Sequence, residues 1–127
     1  MTVGFANGCF DMLHMGHRHL LMNARWRCTK LIVGLNTDAS VKALKGPGRP
    51  VQRYVVRHAA LLASGWVDEI VPIESEVHLV ATIRELSPDV LIKGDEYAMD
   101  QIKGSGYAGA VFRVPMLEGY STTRQLQ

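Results

Sequence analysis

Two cysteines are all that the 127 residues contain. Neither Cys9 nor Cys28 has a CxxC partner or a histidine at metal-ligand spacing, so a disulfide framework is excluded and both read as reduced thiols. No apolar run approaches the roughly 18 residues of a membrane span. The start, MTVGFANGCF, has no basic leader ahead of a long apolar stretch, and the expectation is a cytoplasmic protein with no membrane partner. An excess of one charge is also missing: 14 Lys and Arg against 12 Asp and Glu leave +2, and aromatics are only 7%. With no basic stripe either, a nucleic-acid partner is excluded, and any anion site has to be local.

What is present is an ordinary globular balance, 47% hydrophobic and 20% charged, in a length that suits one domain over residues 1–127. VGFAN, bounded by Gly8, reads as a buried strand, and the spacing of Leu20, Leu21 and Ala24 predicts a helix over 17–26. LIVGL at 31–35 is a second strand, and Thr37 or Asp38 caps a short helix through Ala43. KGPGRP at 45–50 can continue neither helix nor strand. Helices over 52–64 and 76–86, strands over 69–73, 90–93 and 110–115, and the start of a last helix in EGYSTTRQLQ complete the chain. Short apolar strands separated by helices predict an α/β fold: a Rossmann-like, open, parallel five-stranded sheet with helices on both faces.

Ligands of such sheets sit at the carboxyl ends of the strands, where the strand order reverses. NGCFDMLHMGH, NTD, KGD and LEGYSTT each follow a predicted strand, so they are expected on one rim. At the first of these, His14 and His17 stand three apart at a helix start, on one face and beside backbone N–H groups that lack helical partners. The helix dipole disfavours a full positive charge there, so neutral imidazoles are expected to donate hydrogen bonds to an anion such as phosphate. Gly16 between them lets an oxyanion approach the backbone. His19 falls on a different face and reads as structural or exposed. Lys42, Lys45 and Arg49 bring cations from the stretch around the glycine-proline loop. Asp11 and Asp95 follow strands one and four, open to orienting ribose, metal or acceptor sugar, or to capping a turn. Asn36 and Asp38 are open to the same two kinds of role.

GCFDMLHMGHRHLL resembles the signature of the cytidylyltransferase-like nucleotidyltransferases, carried by Gly8, Phe10, Asp11, His14, Gly16 and His17. The resemblance continues through NTDASVKALKGPGRPV, VDEIVPI, SPDVLIKGDEY and PMLEGYSTTR. Within the superfamily these segments are most similar to the heptose 1-phosphate adenylyltransferases, which make ADP-heptose for lipopolysaccharide. LKGPGRP and EGYSTT carry that similarity. Glycerol-3-phosphate cytidylyltransferases share the His-x-Gly-His and the STT but usually have Arg-Thr where this chain has Met116 and Leu117.

The resemblance implies transfer of AMP from ATP to a sugar 1-phosphate, with pyrophosphate released. It makes His14, His17, Lys45 and Arg57 the catalytic groups, Arg57 matching an arginine that contacts triphosphate in the family. Gly8, Phe10, Asp11, Gly16, Lys42, Gly94, Asp95, Glu118, Ser121, Thr122 and Thr123 would bind nucleotide, and Asn36, Asp38 and Arg49 the acceptor. Arg124 matches a further basic position. Mg²⁺ is implied with the phosphates as its main ligands and no protein metal set. A homodimer is implied too, and the apolar Tyr54, Val55 and Val56 are open to two readings, a contact surface between subunits or a face turned to the core. A CTP-dependent alcohol-phosphate cytidylyltransferase and a non-catalytic nucleotide-binding module are the alternatives. The chain departs from the family at Gln52 to Val56, where relatives run roughly Asn-Pro-Glu-Glu-Asp before the arginine, and in a compressed segment between Tyr97 and Val111.

Overall fold

A computed structural model describes residues 1–115. Five strands, β1 (Val3–Gly8), β2 (Lys30–Asn36), β3 (Glu69–Ile73), β4 (Val90–Gly94) and β5 (Ala110–Val114), form an all-parallel sheet in the order β3-β2-β1-β4-β5. The chain builds outward from β1 through β2 to β3, then crosses back to lay β4 on the free edge of β1. The reversal between β1 and β4 is the point at which such sheets open a crevice for a ligand.

Helices α1 (Met15–Trp26), α2 (Asp38–Lys45), α3 (Tyr54–Ala63) and α4 (Glu76–Leu86) link the strands. Successive strand residues point to opposite faces, and the core follows that alternation. Ala6, Leu31, Val33, Leu35 and Ile92 pack with Leu20, Leu21 and Ala24 of α1 and Leu61 of α3. Phe5, Ile32 and Leu91 pack on the other face with Ile83 of α4 and with Ile73 and Ile102. Because both faces are covered, the strands read as continuous apolar runs rather than alternating ones. At Gly34 a β-carbon would stand 2.7 Å from the Phe5 ring and 2.9 Å from Ile73, so the sheet closes over a glycine there.

The element boundaries differ from the expected ones in ways that matter at the rim. α1 begins at Met15, two residues early, and α2 runs to Lys45 before Gly46, at φ +104, ends it. Thr37, not Asp38, caps α2, its hydroxyl accepting the Ser40 N–H at 3.3 Å. α3 starts at Tyr54 rather than Gln52, because the N–H groups of Val51 and Gln52 are drawn to the Asp11 carboxylate. Tyr54 packs on the core, while Val55 and Val56 are exposed. Ser75 caps α4, and Ser87, left-handed at φ +43, closes it.

Candidate active site at the switch between β1 and β4

The turn joining β1 to α1 is held in a conformation it would not choose alone. Phe10 (φ +47) and Met12 (φ +58) are both left-handed without being glycines, at about 1 kcal/mol each. The Phe10 side chain is buried in the core. Between the two, the buried Asp11 carboxylate accepts the N–H groups of Val51 at 2.7 Å and Gln52 at 2.9 Å, and Nε–H of Arg49 at 3.1 Å. Gln52 returns the contact, its Oε1 accepting the Met12 N–H at 3.1 Å. Burial opposes the charge of Asp11, but the donors from Gln52, Val51 and Arg49 outweigh it and hold the carboxyl below its ordinary value. Asp11 therefore clips the glycine-proline loop to the β1–α1 turn.

His14 is the N-cap of α1, and a histidine pair takes the place of the usual hydroxyl and carboxylate of a capping box. Nδ1 of His14 accepts the Gly16 N–H at 3.0 Å, and the His14 N–H donates to Nδ1 of His17 at 3.3 Å. The rings stack with centroids 3.8 Å apart and planes 20° from parallel, and the Phe10 ring meets His17 edge-on at 5.4 Å. Since each Nδ1 accepts a backbone N–H, the neutral rings carry their protons on Nε2. Burial, His14 and Lys45 push His17 down to about 3, and burial with Lys45 lowers His14. At neutral pH both are uncharged donors. The first turn of α1 contains no acidic residue, so nothing in it competes with an anion from outside. Gly16 is buried, with its own N–H on His14 rather than pointing to the rim.

The cations divide. Lys42 and Lys45 are exposed on α2, and the charge of Lys45 is felt by both histidines. Arg49 binds Asp11, and its Nη2 is buried without a hydrogen-bond partner among the described residues. Arg57, expected among the catalytic groups, is held by backbone carbonyls and a carboxylate. It has no accessible surface, and its guanidinium donates to the carbonyls of Gln52 at 2.9 Å, Cys9 at 2.8 Å and Asn36 at 2.8 Å, and to Oδ1 of Asp38 at 2.7 Å. It ties the ends of β1 and β2 to the starts of α2 and α3. Asn36 and Asp38 belong to this knot, the Asn36 amide also donating to Ser40 Oγ at 3.0 Å.

At the end of β4, Gly94 is buried with the Glu96 carboxylate lying where its side chain would be. Asp95 is exposed; its N–H donates to the Val114 carbonyl at 2.8 Å and its own carbonyl accepts Arg113 Nη2 at 2.9 Å. Gly8 lies against the Phe10 ring. Nε2 of His19 stands 2.7 Å from the Pro115 carbonyl, off the histidine pair. Glu118, Ser121, Thr122, Thr123 and Arg124, with the expected last helix, lie outside the described residues. Sequence reasoning missed Gln52, whose role depends on a turn 40 residues away and leaves no local signal. Of the KGD stretch it took Gly94 and Asp95 and left out Lys93.

The arrangement addresses an anion, and among the described residues its one thiol is not activated as a nucleophile. Burial raises the Cys9 thiol and keeps it protonated. Among the described residues no cluster of three His, Cys, Asp or Glu side chains could hold a metal, and no helix is long and apolar enough to cross a membrane.

Known proteins resemble this chain in sequence and in fold. The bifunctional protein HldE of Caulobacter vibrioides is 46% identical over 97% of the chain, and that of Mesorhizobium japonicum is equally similar over the same share. The chain spans about a quarter of the length of these relatives, 26% and 25%. The crystal structure of the lipopolysaccharide core biosynthesis protein from Thermoplasma volcanium superposes with a TM-score of 0.76 over 93% of this chain and 99% of its own, at 23% identity, a likeness of fold. The cytidylyltransferase-like family model matches residues 5–123, from β1 through the STT segment, and the chain belongs to that family.

Proposed function

We propose that this domain transfers AMP from ATP to a sugar 1-phosphate, a heptose 1-phosphate first among them, and releases pyrophosphate. The observation that carries this reading is the pair of neutral, stacked histidines at the acid-free start of α1, set at the reversal of strand order. An oxygen of the acceptor phosphate attacks the α-phosphorus of ATP, the bond to the β-phosphate bridging oxygen breaks, and pyrophosphate leaves with that electron pair. Charge builds on the non-bridging and leaving oxygens, and catalysis is positioning plus electrostatic stabilisation. The Nε2–H groups of His14 and His17 supply donors to those oxygens, and Lys45 and Lys42 supply cations toward the departing pyrophosphate. Arg57 and Asp11 shape the site from beneath. Mg²⁺ enters as part of the MgATP substrate, bound by the phosphates, and neutralises part of their charge.

The choice of heptose over other acceptors, and of ATP as nucleotide, follows the resemblance of the LKGPGRP and EGYSTT segments to the heptose 1-phosphate adenylyltransferases. We place the reaction in the cytoplasm, where ATP is available. Val55, Val56 and Leu62, exposed on α3, support a homodimer, and light scattering after gel filtration checks it. The decisive assay incubates the protein with Mg²⁺, ATP or CTP, and a panel of sugar and alcohol phosphates including heptose 1-phosphate. Release of pyrophosphate with ATP and the heptose supports the proposal; release only with CTP and an alcohol phosphate, or binding of nucleotide without turnover, overturns it.

A further inference from the structure

In-line displacement requires the attacking oxygen and the leaving pyrophosphate to lie on opposite sides of the α-phosphorus. His14, His17 and Lys45 gather on the side of the rim where α1 covers the sheet. A dianionic acceptor phosphate then needs a cation of its own across the switch point, over the face that α4 covers.

Among the described residues one side chain meets that requirement. Lys93 is the penultimate residue of β4, next to β1 in the sheet through the pairing of Ala6 with Ile92. Alternation puts it on the same face as Leu91, which packs with Phe5 and with Ile83 of α4, away from α1. The side chain is half-buried at the strand end, and Nζ lies 4.6 Å from the centre of the Tyr97 ring. Among the described residues the Lys93 side chain has no hydrogen bond and no ion pair. Burial lowers its pKa, against the opposing pull of Glu96 and Cys9, so the ammonium sits where an arriving anion gains most. The wall behind it is fixed. Arg113 donates from Nε to the Tyr97 carbonyl and from Nη2 to the Asp95 carbonyl, both at 2.9 Å, and the Tyr97 N–H donates to the Gly94 carbonyl at 3.3 Å.

We propose that Lys93 is the specificity-determining cation for the acceptor, binding the phosphate of the sugar 1-phosphate while the Tyr97 ring walls the same subsite. The assignment rests on the reading of the chain as a sugar-phosphate adenylyltransferase and deepens it. The test is steady-state kinetics of the whole protein with MgATP and heptose 1-phosphate for wild type, Lys93→Met, Lys93→Gln and Lys93→Arg, with thermal melts of each. Equilibrium dialysis of heptose 1-phosphate in the presence of a non-hydrolysable ATP analogue accompanies it. Removing a charge-assisted contact should raise the acceptor KM about tenfold or more and leave the ATP KM within about twofold, with Arg restoring part of the loss. If the Met variant does not fold, the Gln variant carries the same comparison. An increase confined to the ATP KM would give Lys93 to the triphosphate and overturn the proposal, as would unchanged kinetics in both neutral variants. If the wild type neither turns over nor binds any sugar 1-phosphate, the adenylyltransferase reading falls and this assignment with it. If the wild type is active and the variants match it, only the assignment falls.

Discussion

His14 and His17 cap their own helix with each other: one ring accepts the Gly16 N–H, the other accepts the N–H of His14, and the two stack 3.8 Å apart. A single arrangement thus ends the loop, starts α1 and fixes the protons on Nε2. Substituting either histidine should cost rate by removing a donor to the transition state, on the order of 100-fold in kcat, with a small change in the ATP KM. His14→Ala should in addition lose about 1 kcal/mol of stability as a missing cap. Pyrophosphate release and urea denaturation on the same samples separate the two effects.

The depressed pKa of His17 makes stability depend on pH in a definite direction. Folding holds it near 3, against about 6.5 in the unfolded chain. Below 6.5 the unfolded chain takes up a proton that the folded protein refuses, so stability is complete above about 6.5 and declines as pH falls toward 3. His14 is shifted the same way. Wild type should unfold at progressively lower urea between pH 6.5 and 4, before the carboxylates titrate, and His17→Asn should flatten that decline. NMR of the His17 ring should show no titration step above pH 5.

Asp11 matters to the loop more than to the ligand. Asp11→Ala leaves the N–H groups of Val51 and Gln52 and the Arg49 guanidinium without their acceptor in a buried place. The expected loss is on the order of 3 kcal/mol, and thermal melts should show a fall of at least about 5 °C. An unchanged melting temperature would dissociate Asp11 from the loop.

Arg57→Lys should behave unlike a conservative change. A lysine head cannot reach three carbonyls and a carboxylate at once, so stability should drop by about 2 kcal/mol or more. Arg57→Met should lose more. A group that touched triphosphate would instead raise the ATP KM at unchanged stability, and calorimetry with nucleotide titration tells these outcomes apart.

The order of elements, the parallel sheet and the rim on which the polar stretches meet were legible from residues 1–115 because each depends on local pattern: apolar runs of strand length, helical spacing of Leu20, Leu21 and Ala24, and glycines and prolines where the chain turns. The same holds for His14 and His17, since three residues along a helix bring two rings to one face whatever surrounds them. Tertiary structure alone decided which charges face outward. Arg57, with no accessible surface, and Lys93, half-buried without an ion pair among the described residues, look alike as letters. Burial and partnership are set by carbonyls and carboxylates brought in from distant segments, Cys9 and Asn36 to Arg57 and Val51 to Asp11, and desolvation then fixes protonation. No spacing in the chain encodes those encounters, so only the fold decides which cations are buried and which face solvent.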